Sequence, residues 1–292
     1  MLIRFHGDLL LFSFFLSILF CACCALADSL LGFWVFLELA GLSIVPCFFY
    51  SGGFDTINFY GSLLTYIVMS GISSVFLVSG VLFHSLYYLV LVGFVIKLGL
   101  FPFLLWIYYV FSSSNWCFIL LVSVILKFPV LFFSFLLQER GACEQFIYID
   151  CFLTISFCSI FFWLYSLSWE FIWCHMSLSS VSTLLVACFC ADFLYTSFVY
   201  CYYSIWAIFC ICYFFYLKQL GGVKESFWLF CFLFLITPLS LPLFYKLSVC
   251  ISIIYSSVYL LLVWSLYSLS EQFFLYKLAG DSFLSHTFNS WY

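Results

Sequence analysis

Long apolar runs separated by short polar joints make up most of the chain. They cover 9–27, 30–50, 57–83, 85–110, 116–137, 146–168, 171–190, 194–216, 226–245 and 247–269. Each comes close to the roughly 20 residues that an α-helix needs to cross a bilayer's hydrocarbon core. About ten spans are expected. The runs are apolar on nearly all sides, as lipid-embedded helices are, so a helical moment does not mark an inward face. The pattern predicts an all-α, polytopic transmembrane bundle, read as a single membrane domain over 1–292 with no room for a separate soluble one.

The joints at Asp28, at Gly52, Gly53 and Asp55, and near His84 are short. Two longer ones, 138–145 with Glu139, Arg140 and Glu144, and 218–225 around Gly221 and Gly222, read as solvated loops. Residues 271–292 mix Lys277, Asp281 and His286 with aromatics and read as an interfacial tail anchored by Trp291 and Tyr292. Arg4 ahead of an apolar run ending in Ala25-Leu-Ala27 resembles a cleavable leader, but that run is longer than a leader's core, and a retained first helix is expected.

Composition sharpens this picture. Charged side chains are 7% of the sequence, against roughly a quarter in soluble domains, so each one inside a span is a candidate for function. The net charge of −4 contains no basic run, which argues against nucleic acid and anionic lipid headgroups as partners, while the apolar runs make the lipid bilayer one. Most of the 16 cysteines, such as Cys21, Cys23, Cys24, Cys188, Cys190, Cys210 and Cys212, sit inside apolar runs as small hydrophobes. Cys21 and Cys24 have CxxC spacing but no second pair or histidine cluster, so no metal is expected there. The 43 Phe, 21 Tyr and 16 Cys exceed what burial demands. A T-rich coding strand, usual in organellar genomes, would supply them, and a mitochondrial origin is expected.

Three charges fall near the middle of spans: Glu38 in 30–50, Lys97 in 85–110 and Lys127 in 116–137. A central Lys or Asp costs about 2.5–3.5 kcal/mol on insertion scales, so three cost roughly 8–10 kcal/mol, comparable to a protein's net stability. Each lysine stands by a helix breaker, Gly99 and Pro102 after Lys97 and Pro129 after Lys127. A proline ring clashes with the carbonyl four residues earlier, here of Leu98 and Ile125, freeing an oxygen that needs water or a buried polar partner. A titratable amine beside a broken, hydratable turn is a candidate proton site. If Glu38 neighbours Lys97, separating the pair changes the amine's proton affinity and drives its proton onward to Lys127. The competing reading is a structural ion pair with Lys127 snorkelling to the interface.

Lys246, with Pro238 and Pro242, is ambiguous. Cutting 226–269 into two equal spans puts it at the interface, whereas a broken helix beginning near Pro238 draws it inward. His175 reads as a hydrogen-bonded bundle residue, with a proton relay as the less favoured role. His84, Asp28, Asp150, Glu170 and Asp192 fall near span ends and read as interfacial. Ser177, Ser179, Ser180, Ser182 and Thr183 form a polar stripe suited to helix packing or to holding water. There is no HExxH, Walker A or GxGxxG motif, and soluble-type catalysis is not indicated.

These residues carry a resemblance. Lys97-Leu-Gly-Leu-Phe-Pro-Phe-Leu-Leu-Trp106 resembles the lysine-helix motif of the antiporter-like subunits of respiratory complex I. Phe33-Trp-Val-Phe-Leu-Glu38-Leu-Ala-Gly-Leu-Ser-Ile-Val-Pro46 is similar to the family's glutamate helix, and Lys127-Phe-Pro129 to its second lysine helix. Pro238-Leu-Ser-Leu-Pro-Leu-Phe-Tyr-Lys246 is similar to its discontinuous late helix, and Ser179-Ser-Val-Ser182 to a polar stretch between. The order agrees over roughly 30–250, the expected proton-translocating core.

The resemblance implies Glu38 and Lys97 as a coupled pair, Lys127 as central relay and Lys246, now inside the bundle, as terminal proton residue. It implies a multi-pass subunit of the mitochondrial inner membrane, with sister membrane subunits as partners. NAD, FMN, iron–sulfur clusters and ubiquinone would be bound by other subunits, and no cofactor by this chain. The glutamate lies in the second span, where longer members carry it in the fifth, as in the shortened animal mitochondrial version. Leu104 stands where the family often has His, Tyr108 and Tyr109 replace a Pro-Glu pair, and the serine stretch lacks its usual following His. From the resemblance, the sequence is expected to end before the family's last helix. The alternatives are a stand-alone cation/proton antiporter and, in another class, a polytopic receptor or scaffold.

Overall fold

Apolar runs of this length satisfy their backbone polar groups internally by forming helices, and the computed structural model is built of them. It describes residues 2–50, 56–83, 86–138, 144–166, 168–220 and 227–281. Among these no strand occurs. The helices are α1 (Leu2–Ala25), α2 (Leu30–Ser43), α3 (Thr56–Leu82), α4 (Tyr88–Leu98), α5 (Leu104–Ser113), α6 (Trp116–Ser123), α7 (Phe128–Gln138), α8 (Glu144–Tyr165), α9 (Trp169–Cys190), α10 (Phe193–Leu220), α11 (Phe227–Phe234), α12 (Leu241–Ile254) and α13 (Val258–Ala279). Eight stretches are long and apolar enough to cross a membrane, the one over Trp116–Ser134 taking in α6 and most of α7. Helices α4 and α5 are too short to cross alone, as are α11 and α12. At 1.5 Å per residue each pair sums to about 30 Å, the hydrocarbon thickness. Counted this way the described residues hold the ten expected spans.

Two boundaries differ from the sequence reading. The last two spans divide at Ser256 and Ser257, where Ser257 caps α13 by accepting from the Leu260 amide at 3.3 Å, rather than at Lys246. Lys246 therefore lies inside α12. The division by equal length failed because the break at 235–240 consumes residues without ending the crossing. For the same reason Glu271, assigned to an interfacial tail, lies within α13 and is only 2% exposed. The interfacial anchors Trp291 and Tyr292, with His286, His84, Glu139, Arg140 and the Gly221–Gly222 joint, lie outside the described residues.

Helix α9 is the axis of the bundle. Its membrane-length window is 94% buried, and α5, α7, α8, α10 and α12 pack around it. The serine-rich stretch that looked polar for a membrane is thus shielded from lipid by other helices, and its hydroxyls bond back to carbonyls three or four residues earlier. Aromatic rings fill the spaces between, as where Phe94 of α4 stacks on Phe133 of α7 at 3.6 Å between centroids. Helices α3 and α4 approach closely because Gly93 has no side chain: a Cβ there would stand 2.8 Å from the Ser73 carbonyl oxygen.

Candidate functional site

Each helix break frees backbone groups at membrane depth, and a side chain from elsewhere meets them. After Lys97, α4 closes on Gly99 in the left-handed conformation (φ 66°), with amides of Gly99 and Leu100 donating to Ile96 and Val95. Trp106 Nε1 also donates to the Ile96 carbonyl at 3.0 Å, and the Phe101 amide donates to Thr154 Oγ1 at 3.1 Å. Around Lys127 the chain narrows to a 3-10 turn, Ile125–Lys127. The carbonyl that Pro129 was expected to free, that of Ile125, accepts from the Phe128 amide and from Cys21 Sγ at 3.6 Å. Those of Ser123 and Val124 accept from Tyr203 and Tyr200 hydroxyls, each at 3.1 Å. Just after α11, Gln272 meets the broken backbone, donating to the Phe234 carbonyl at 3.2 Å and accepting from the Ile236 amide at 2.9 Å.

These breaks fix three lysines. Lys97, in the last turn of α4, sits where the helix dipole favours a cation, and its ammonium forms an ion pair with Glu38 of α2. Tyr66 stands alongside, donating to the Gly41 carbonyl at 2.9 Å. Lys127 is 3% exposed and points into the bundle, contrary to snorkelling. Its three N–H donors are matched by three acceptors at 2.8 Å: the Ser177 carbonyl, Ser180 Oγ and Tyr203 Oη. No carboxylate pairs with it among the described residues. Lys246, in α12, pairs with Glu271 Oε2 at 2.9 Å and donates to Ser268 Oγ at 3.0 Å.

Two small cavities join these groups. The first has about 40 Å³ of water-sized space and is lined by Lys97, Lys127, Tyr66, Ser70 and Ser177 among apolar neighbours. Since one water needs some 10–15 Å³, it suits up to about three. The second, about 20 Å³, is lined by Ser179, Ser180, Thr183, Tyr245, Lys246, Tyr267 and Glu271, and suits one. Ser180 belongs to both sides, accepting from Lys127 and lining the cavity of Lys246. The arrangement is a buried line of groups able to donate and accept hydrogen bonds in turn: Glu38, Lys97, cavity, Lys127, Ser180, cavity, Lys246, Glu271.

The four expected site residues, Glu38, Lys97, Lys127 and Lys246, all lie on this line. His175 is fully buried beside it, its Nδ1 2.6 Å from Tyr108 Oη, one of the two tyrosines that depart from the family pattern. Asp150 lies in the second turn of α8, partly buried, and Glu170 in the first turn of α9. Sequence reasoning missed Glu271 and Tyr203. The Ser256-Ser257 pair, a ready helix boundary, was the signal for Glu271, because a span starting there carries the glutamate within it. No comparable signal marks Tyr203 among 21 tyrosines.

No protein-family model matches the sequence, and no curated protein matches it. Among solved structures the fold matches a chain of respiratory complex I from Thermus thermophilus with bound aureothin. The TM-score is 0.74 at 15% identity, over 92% of this chain and 69% of that one. At that identity the likeness is one of fold.

Proposed function

We propose that this chain is an antiporter-like membrane subunit of respiratory complex I, its motif order most like subunit 2 of the mitochondrial NADH:ubiquinone oxidoreductase. In this reading it carries protons across the mitochondrial inner membrane. NADH oxidation and ubiquinone reduction take place in other subunits, which hold the FMN, iron–sulfur clusters and quinone. The fold shared with the Thermus thermophilus complex I chain supports this reading, as does the motif order. The observation that carries it is the buried line itself: an uncompensated amine, Lys127, between two amine–carboxylate pairs, with water-sized space on either side.

The mechanism follows from that geometry. While Glu38 holds Lys97, the ammonium is stabilised. When a change in a neighbouring subunit draws Glu38 away, Lys97 is left in low dielectric and gives up a proton towards Lys127. Lys127 passes it by Ser180 towards Lys246. Lys127→Ala in the assembled complex tests this: in sealed membrane vesicles it is expected to lower NADH-driven proton uptake sharply. Normal uptake in that variant refutes the relay. A stand-alone cation/proton antiporter would use the same amines, and copurification with flavin and iron–sulfur subunits distinguishes the two.

A further inference from the structure

Glu271 has no part in the path as the sequence motifs draw it, yet it is the most deeply buried carboxylate among the described residues, at 2% exposure. Its Oε2 holds the Lys246 ammonium. Its Oε1 is also buried and takes no hydrogen bond among the described residues, and the Tyr267 hydroxyl lies buried nearby. Both residues line the small cavity that Lys246 shares with Ser179, Ser180 and Thr183. A buried carboxylate oxygen left bare is costly unless water or a proton meets it, and here there is space for one water. Gln272, the next residue, bonds the backbone at Phe234 and Ile236, where α11 ends, so Glu271 is tied to the break that precedes α12 and Lys246.

We infer that Glu271 is a proton-carrying residue that takes the proton from Lys246 and passes it on through its free oxygen, the counterpart at this end of Glu38 at the other. This deepens the proposed function and rests on it. In the transfer an N–H bond of the Lys246 ammonium breaks as an O–H bond forms on Glu271. The ion pair becomes a neutral amine beside a neutral acid, and no net charge is added to the interior. Release of the proton from Glu271 leaves the carboxylate ready to hold Lys246 when it is next protonated. The titratable groups facing Glu271 are Lys246 and Tyr245 of α12, Tyr267 of its own helix and Cys210 of α10. Of these only Lys246 is a cation, so the exchange is between two named groups.

The test uses the complete complex in sealed vesicles, reading NADH oxidation, proton uptake and the level of assembled enzyme together. Glu271→Gln is expected to cut the protons moved per NADH at least severalfold, while Glu271→Asp, which keeps an ionisable group, retains most of them. Infrared difference spectra between resting and turning-over enzyme are expected to contain a carboxylic-acid C=O band that Glu271→Gln removes. Wild-type proton yield in Glu271→Gln, or persistence of the band, overturns the inference. If Glu271→Gln fails to assemble, the neutral double variant K246Q/E271Q replaces it, since it leaves no unpaired charge. A double variant pumping as wild type overturns the inference equally. Should Lys127→Ala pump normally, the proposed function itself fails. Should Lys127→Ala stop pumping while Glu271→Gln does not, only the role of Glu271 fails.

Discussion

Glu38→Gln offers the most direct quantitative test of the buried pair. The substitution keeps the shape of the side chain and removes its charge, so that Lys97, at 10% side-chain exposure, must hold its charge with no carboxylate beside it among the described residues or give up its proton. Breaking a buried pair from one side costs about 3–5 kcal/mol, mostly because the remaining charge is stranded. Glu38 retains 19% side-chain exposure, which favours the lower end, about 3 kcal/mol. At about 1.4 kcal/mol per tenfold, that is roughly a hundredfold fall in the ratio of intact to disrupted subunit. The double variant Glu38→Gln with Lys97→Met removes both charges and is expected to recover most of that loss, as replacing buried pairs by neutral groups commonly does. The assay is the fraction of assembled complex surviving graded detergent, read by native electrophoresis for the two single variants and the double. If the double variant loses as much as the two singles summed, the residues act independently and the coupled-pair argument is wrong.

Tyr203→Phe removes the hydroxyl that accepts from Lys127 and donates to the Ser123 carbonyl, and should cost about 1–3 kcal/mol. Its pumping is expected to fall, but less than in Lys127→Ala, in the same vesicle assay. Gly99→Ala places a side chain at φ 66° and against Ile107, and is expected to lose more than the about 1–2 kcal/mol of the left-handed backbone alone, seen as reduced assembly. Gln272→Leu leaves the Phe234 carbonyl and Ile236 amide without their partner, and should cost about 2–5 kcal/mol, again as reduced assembly.

The spans were legible because bilayer thickness fixes their length, and the first two breaks because Gly and Pro act locally on the residues next to them. Lys97 and Lys127 could be identified as buried for the same reason: each lies mid-run, with its breaker nearby. The partners that satisfy the breaks were not legible. That Cys21 reaches Ile125, Thr154 reaches Phe101 and Gln272 reaches the backbone just after α11 depends on tertiary packing between residues tens of positions apart. Lys246 shows where length arithmetic stops. Its run is interrupted rather than ended, so equal division moved the boundary by about ten residues and carried Glu271 out of the membrane on paper. Local cap chemistry at Ser256 and Ser257 contained the correction.

A formal charge count along the line explains why Lys127 is the residue to perturb. Glu38 balances Lys97 and Glu271 balances Lys246, whichever way each pair holds its proton, so both ends stay near neutrality through an internal transfer. Among the described residues Lys127 has no such balance, and its positive charge is offset there by a carbonyl, two hydroxyls and the Tyr203 ring face at 4.5 Å. Those dipoles favour an ammonium, yet they are weaker than a carboxylate and remain in place when the proton leaves. The centre of the line can therefore alternate between one charge and none without rearranging a partner. At either end a change of proton state alters an ion pair and so pulls on α2 or α13. Under the proposed function, that asymmetry gives conformational coupling to the two pairs and bare proton storage to the centre, with a direct consequence. Lys127→Arg retains the charge but not the ability to release it, since guanidinium stays protonated. It is expected to assemble and yet fail to pump. A Lys127→Arg enzyme that assembles and pumps at the wild-type ratio would mean that only fixed charge is needed at the centre, and the relay would have to pass elsewhere.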